Sequence, residues 1–325
     1  MRSKSKRGGV LLAVLWLSAA LAAIAFSLAN TVRGETERAS TAVDGLRSYY
    51  LATAALQRGI LYMDWGRRNP SNPRFKPPGT FYAFQFPTGQ AVVEIIPETA
   101  KFNLNSSRPE DLFRLLLNLG AEPGRAQTIV AAIVEWRGGA GNSPFGGLSR
   151  AVLRPMGPQH THFVEVEELL AVRGMTPDIF YGTWEHAPEG AAQRLYQRMG
   201  LRDCVSIFGA TDQFDVNTAA PAVLATLGVP PETVIALVQH RRTRAFLTQA
   251  DLAPFAQSAG PGYARLRIGG NSIFTLRATS HLRLPNGQLS DLRRTVAAQV
   301  KMMPVGYAAT YNILRWYDNT TAPEP

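Results

Sequence analysis

The chain has 325 residues, 46% hydrophobic and 18% charged, enough apolar material to bury more than one core. Its formal net charge is +10, but Arg2, Lys4, Lys6 and Arg7 fall in the first nine residues; without those four the charge is +6, spread over pairs such as Arg67/Arg68, Arg241/Arg242 and Arg293/Arg294 as solvated surface. One cysteine, Cys204, excludes an internal disulfide, so packing must hold the body together.

The first element is KRGGVLLAVLWLSAALAAIAFSLAN, Lys6 to Asn30. No Asp, Glu, Lys, Arg or His occurs from Val10 to Val32, and about 20 helical residues cross a ~30 Å hydrocarbon core. The basic residues before this span keep the first few residues in the cytoplasm and send the rest across. A secretory signal peptide has a similar charged start and apolar middle, with Ala25, Ser27 and Ala29 near a cut site. The residues after the span argue for a retained rod. Ala42, Leu46, Tyr49, Ala52, Leu56, Ile60 and Met63 recur at steps of three and four, one face of a helix. No Pro interrupts the chain before Pro70. The pattern predicts one helix over 10–68, spanning the membrane in 10–32; two helices broken near Gly34 are the alternative.

A long N-terminal helix just after a short basic leader that ends in Gly resembles a type IV pilin or a pseudopilin. The resemblance implies that a prepilin peptidase removes residues 1–9, cutting between Gly9 and Val10, with Gly8 the weaker candidate. Most such proteins carry Glu at the fifth mature position, which here is Val14. A bare carboxylate inside a bilayer costs on the order of several kcal/mol, and in the family its partner is the N-terminal amine of the neighbouring subunit. A subunit with no neighbour above has nothing to pair, so Val14 suits a filament end. Apart from the resemblance, Val14 reads as one more lipid-facing residue.

TFYAFQF and AVVEIIPE around PTGQ predict a β-hairpin. An internal repeat comes next. FNLNSSRPEDL (Phe102 to Leu112) matches FDVNTAAPAVL (Phe214 to Leu224); IVAAIVEWR (Ile129 to Arg137) matches TVIALVQHR (Thr233 to Arg241); FVEVEEL (Phe163 to Leu169) matches FLTQADL (Phe246 to Leu252). Three blocks in one order argue for duplication. In each copy Asn followed by Ser or Thr is placed to cap a helix whose first turn holds Pro, with a capping box between Ser107 and Glu110. Each copy looks like a helix-hairpin-helix element. Such elements bind DNA phosphates through a Gly-x-Gly turn, but Gly120 is followed by Ala121-Glu122-Pro123 and Gly228 by Val229-Pro230-Pro231. That favours scaffold over nucleic-acid recognition.

Other constellations are weak. His160 and His162 with Glu165, Glu167 and Glu168 form a conceivable mixed metal set, though two histidines in a Pro-bounded loop read more simply as exposed. Cys204 with His186 lacks the context of a nucleophile, and no nucleotide loop or metalloprotease motif is present. We expect no enzyme. Toward the C-terminus, SIFTLRATSHLRL and QLSDLRRTVAAQVKM flank Pro285-Asn286-Gly287, a tight-hairpin signal, and YNILRWYD adds a last strand.

Together, the pilin-like helix without its Glu, the hairpin leading into KFNLN (Lys101 to Asn105), the second motif FDVNTAAPAVL and the block from Pro144 to Pro177 resemble the GspK family, the large minor pseudopilin of type II secretion. The resemblance implies an α+β pilin-like fold with its antiparallel sheet in 69–103 and 262–325. Residues 104–261 would be an inserted all-α domain with two helix-hairpin-helix-like (SAM-like) repeats. It implies a single-pass inner-membrane protein with a periplasmic body at the pseudopilus tip. Its partners would be two other minor pseudopilins, a major pseudopilin below, the prepilin peptidase and the inner-membrane assembly platform. Some members bind calcium in the insert, but Gly138 to Val164 contains no acidic residue, so no cofactor is expected. The rival readings are a membrane-anchored helix-hairpin-helix protein of DNA uptake and a cleaved, freely soluble exported protein.

Overall fold

The computed structural model describes residues 7–75, 80–138, 162–186, 195–270, 272–304, 306–318 and 320. Helix α1 runs unbroken over Arg7–Arg68. Gly34 does not break it: no atom comes within 4 Å of a Cβ built there, and a lone exposed glycine weakens a helix by only about 1 kcal/mol relative to Ala. Between the apolar span and the body, the ion pairs Arg33–Glu37, Arg38–Glu35 and Arg47–Asp44 lie along its exposed surface.

The second half of α1 packs on a five-stranded antiparallel sheet. Its strands are β1 (Phe81–Phe86), β2 (Gly89–Pro97) and, late in the chain, three more. Between them come β3 (Phe102–Asn103), α2 (Pro109–Asn118), α3 (Pro123–Trp136), α4 (Pro177–Tyr181), β4 (Gly182–His186), β5 (Leu195–Met199), α5 (Leu201–Cys204), β6 (Val205–Ser206) and β7 (Phe214–Asp215). The excursion continues through α6 (Pro221–Thr226), α7 (Pro231–Thr243), α8 (Gln249–Leu252) and β8 (Leu266–Arg267). The sheet then resumes with β9 (Ile273–Arg283), β10 (Leu289–Met302) and β11 (Tyr311–Tyr317), in the order β1-β2-β9-β10-β11.

Strands β2 and β9 are neighbours, with Pro97 opposite Phe274. The excursion thus leaves and re-enters the sheet at one register position, which lets a large insertion sit between adjacent strands without opening them. It begins after Pro97 and ends before Ile273, wider than the 104–261 read from the sequence. Leu266–Arg267, placed with the sheet domain in that reading, pairs instead with Phe214–Asp215. The excursion is not all-α either. It holds the β4–β5 hairpin and two parallel ladders, β3 with β6 and β7 with β8. Two-residue ladders carry too little periodicity to register as strands in a sequence.

Two separate cores result. One lies between α1 and the sheet, built from Ala52, Leu56, Ile60, Val93, Leu276 and Val296 among others. Gly59 lets the helix approach, since a Cβ there would lie 3.0 Å from Val93 Cγ1. Ser48 Oγ and Ser280 Oγ, both buried, stand 2.8 Å apart, and Ser280 Oγ also donates to the Ser48 carbonyl at 2.7 Å. The other core fills the excursion around Phe102, Leu115, Ile129, Phe180, Phe214 and Phe246. Beyond Arg283 the chain turns at Gly287 (φ +83°), where the Asn286 side chain accepts the Gln288 N–H at 3.0 Å, the tight turn expected of Asn-Gly.

Candidate functional site: the membrane helix and the paired helical units

No catalytic constellation organises the described residues; their distinctive features are a bare apolar helix and a duplicated head. In α1 the window from Gly9 onward is long and apolar enough to cross a membrane and is wholly unburied by the rest of the chain. Val10 and Val14 are 64% and 60% exposed. The Val14 carbonyl accepts the Ser18 hydroxyl at 2.5 Å, a bond that satisfies the hydroxyl inside an apolar segment. The Gly9–Val10 bond sits in the first turns of the helix, which begins at Arg7; residues 1–6 of the leader lie outside the described residues.

The contacts between α1 and the sheet fix the orientation of the head. Ser48 meets Ser280 toward the apolar end of α1, and Met63, Phe274 and Ile95 line one pocket at the other end. The strand ends that carry the excursion, Pro97 and Phe274, therefore lie at the end of the docked helix away from its apolar span.

The two halves of the head share a set of equivalent contacts. Asn105 accepts the Phe163 N–H at 2.8 Å and donates to its carbonyl at 3.0 Å. Asn217 does the same with Phe246, both at 2.8 Å. Trp136 stacks on Phe163 at 5.3 Å between centroids, and His240 on Phe246 at 4.6 Å. Arg137 donates to the Ser107 carbonyl at 2.9 Å; Arg241 donates to Ala219 and Val216 at 2.6 and 2.8 Å. Burial pushes both guanidinium groups down to about 10, still charged at neutral pH. The halves meet along equivalent residues: Phe102 against Phe214 at 4.4 Å, and Asn118 donating to Thr226 at 3.0 Å. Arg265 closes the seam with a two-pronged pair to Asp111 at 3.2 and 3.0 Å, its guanidinium over the Phe102 and Phe214 rings.

Expected caps went elsewhere. Asn105 and Asn217 clamp the backbone of distant residues, Phe163 and Phe246, rather than a helix start, and the N-cap positions of α2 and α6 are Arg108 and Ala220 without side-chain bonds. Ser107 Oγ is buried without a hydrogen-bond partner, so no Ser107–Glu110 box forms. The described capping box is Thr248 with Asp251. Glu122 caps α3, accepting the Gly124 and Arg125 N–H groups at 3.0 Å each, which holds its carboxyl below the usual range. That carboxylate occupies the amides a phosphate would need.

The other named candidates disperse. Glu165 pairs with Arg315 at 2.9 Å and Glu168 accepts the Val164 N–H. His160 and most of the stretch from Gly138 to Val164 lie outside the described residues. Among the described residues no group of three or more His, Cys, Asp or Glu could hold a metal ion. Cys204 is fully buried, its thiol pushed far up by desolvation; His186 ends β4.

A family model for type II secretion system (T2SS) protein K matches residues 99–182. Comparison with curated proteins finds no match. Among solved structures, a chain in the crystal structure of the GspK-GspI-GspJ complex from the type 2 secretion system of enterotoxigenic Escherichia coli is similar. The identity is 15%, the similarity covers 88% of this chain and 100% of that one, and the TM-score is 0.54. At that identity the likeness is one of fold, a long N-terminal helix on an antiparallel sheet. The first of the two repeated halves is thus similar to T2SS protein K, and the fold of the whole chain to that of the solved GspK-complex chain. The matched stretch carries β3, α2, α3 and α4. Sequence reading missed Glu122 as a cap and Arg265 as the seam. It did align Arg137 with Arg241, the last residues of its matched blocks, without seeing that both reach back to a carbonyl.

Proposed function

We propose that this chain is a minor pseudopilin of type II secretion that forms the tip of a periplasmic pseudopilus with two other minor pseudopilins, rooted by α1 in the inner membrane. The observation that carries this reading is the position of the head. A bulky excursion at the membrane-distal end of the helix obstructs any subunit that would be added above. Val14 agrees with it, since a terminal subunit has no neighbouring amine for a carboxylate to pair with.

On this reading the prepilin peptidase cuts between Gly9 and Val10, and the inner-membrane assembly platform and a major pseudopilin act below. Small residues such as Ala19, Ala22 and Ala23 let partner helices approach within the bilayer. The two halves of the head are helix-hairpin-helix-like scaffold with no nucleic acid, metal or catalytic role. Glu122 supports this for the first half; in the second, Pro230 and Pro231 supply no N–H at the start of α7.

The test is mass spectrometry of the protein purified from membranes, with cross-linking to co-purifying subunits. The expected result is a mature chain starting at Val10, one copy per complex, joined to two small pilin-like proteins. Many copies along a filament shaft, or a soluble chain starting beyond residue 30, would refute the tip reading.

A further inference from the structure

A cavity of about 720 Å³ opens at the membrane-distal end of α1, beside the excursion and distinct from the paired halves. Its walls are Met63, Phe75, Tyr82, Ile95, Phe274 and Met302, and two cations, Arg67 and Lys301, stand among its lining residues. None of the lining residues is acidic. The Arg67 guanidinium is anchored by a bond to the Met303 carbonyl, while the Tyr82 hydroxyl is already spent on the Phe75 carbonyl at 2.8 Å. The volume falls in the range of small-molecule pockets, roughly 300–1,000 Å³. Methionines at 63, 302 and 303 give walls that adapt to a flexible guest.

We propose that this cavity binds a free long-chain carboxylate, with the acyl chain among the methionines and aromatics and the carboxylate between Arg67 and Lys301. Two cations and no acidic residue in the lining select an anion, and the apolar walls select its body. A peptide backbone fits less well. Its N–H and C=O groups would be buried against side chains offering few partners, and each unpaired group costs about 1–3 kcal/mol. Tails of membrane lipids are out of reach, since Met63 lies about 46 Å along the helix from Val32 at 1.5 Å per residue. The proposal does not depend on the tip reading.

The test uses the full chain in phospholipid nanodiscs and hexadecanoate carrying a diazirine near its methyl end. Photolysis is followed by peptide mapping, with unlabelled hexadecanoate, hexadecanol and the dipeptide N-acetyl-Phe-Leu as competitors. We expect labels on Met63, Phe274 or Met302, and competition by hexadecanoate about tenfold stronger than by hexadecanol, the worth of a charge-assisted contact. R67Q combined with K301Q should lower labelling by a similar factor, and M63W should block it by filling the space while leaving both cations in place. Labels confined to residues 10–32, or labelling indifferent to all three substitutions, would overturn the proposal. Stronger competition by the dipeptide would overturn it too, and would assign the cavity to a protein C-terminus.

Discussion

The two halves of the head share a plan and differ in how completely each fulfils it. In the second half Arg241 holds two carbonyls, Val216 and Ala219. In the first, Arg137 holds one, Ser107, and its Nε and Nη2 are buried without hydrogen-bond partners among the described residues. The equivalent positions 103 and 215 solve one geometric problem with opposite chemistry. Asn103 donates to the Ile207 and Gly209 carbonyls, whereas Asp215 accepts the Gly269 N–H at 2.8 Å. What persists between the halves is the set of side chains that satisfy buried backbone; the residues at the loop tips have drifted. Buried N–H and C=O groups must be paired, which constrains clamps far more than solvent-facing turns.

Unequal arginines give the largest expected contrast. Arg241→Met strands two buried carbonyls and should cost about 2–4 kcal/mol. Arg137→Met, which also removes two unsatisfied donors, should cost at most about half as much. Urea unfolding of the head followed by circular dichroism checks this, and equal losses would contradict the asymmetry. The clamps should instead behave alike: Asn105→Ala and Asn217→Ala each remove two bonds to buried backbone, for about 1–3 kcal/mol apiece. A twofold difference between them would show that the halves are not equivalent there. Smaller still is the seam. A cycle combining Asn118→Ala with Thr226→Val should reveal a coupling of about 0.5–1.5 kcal/mol.

The weakest effect concerns helix starts. The Glu122 carboxyl is held below its usual range by the Gly124 and Arg125 N–H groups. A carboxylate whose folded pKa is lowered adds stability above its unfolded value of about 4.3 and loses it as pH falls through the folded one. Glu122→Gln should therefore lower the melting temperature at pH 7 and leave it unchanged in strong acid. The start of α7, with Pro230 at the cap position, should show no such dependence on pH. The same direction holds for Asp251, lowered chiefly by the Thr248 and Leu247 N–H groups.

The long helix was legible because its signals are local: an uncharged span, a three-four apolar rhythm and no proline. The hairpins were legible for the same reason, through alternation and Asn-Gly. The duplication showed in three ordered blocks. Less legible were the jobs of individual polar residues. Asn105 and Asn217 looked like caps because Asn before a Pro-led helix favours that reading, yet their partners lie 58 and 29 positions away. The ladders β3–β6 and β7–β8 were invisible because two residues have no periodicity.

Sequence by itself determined that an apolar rod leads the chain and that strands flank a repeated helical middle. These depend on composition and short-range spacing, which the chain carries whatever its fold. Tertiary structure alone decided that Pro97 and Phe274 face each other, so that the head rises from one end of the sheet. It alone decided that two Asn residues clamp distant backbone and that Met63, Phe274 and Met302 line an open cavity together with Arg67 and Lys301. Each of these requires segments far apart in the chain to meet, and the burial that brings them together is set by the packed whole.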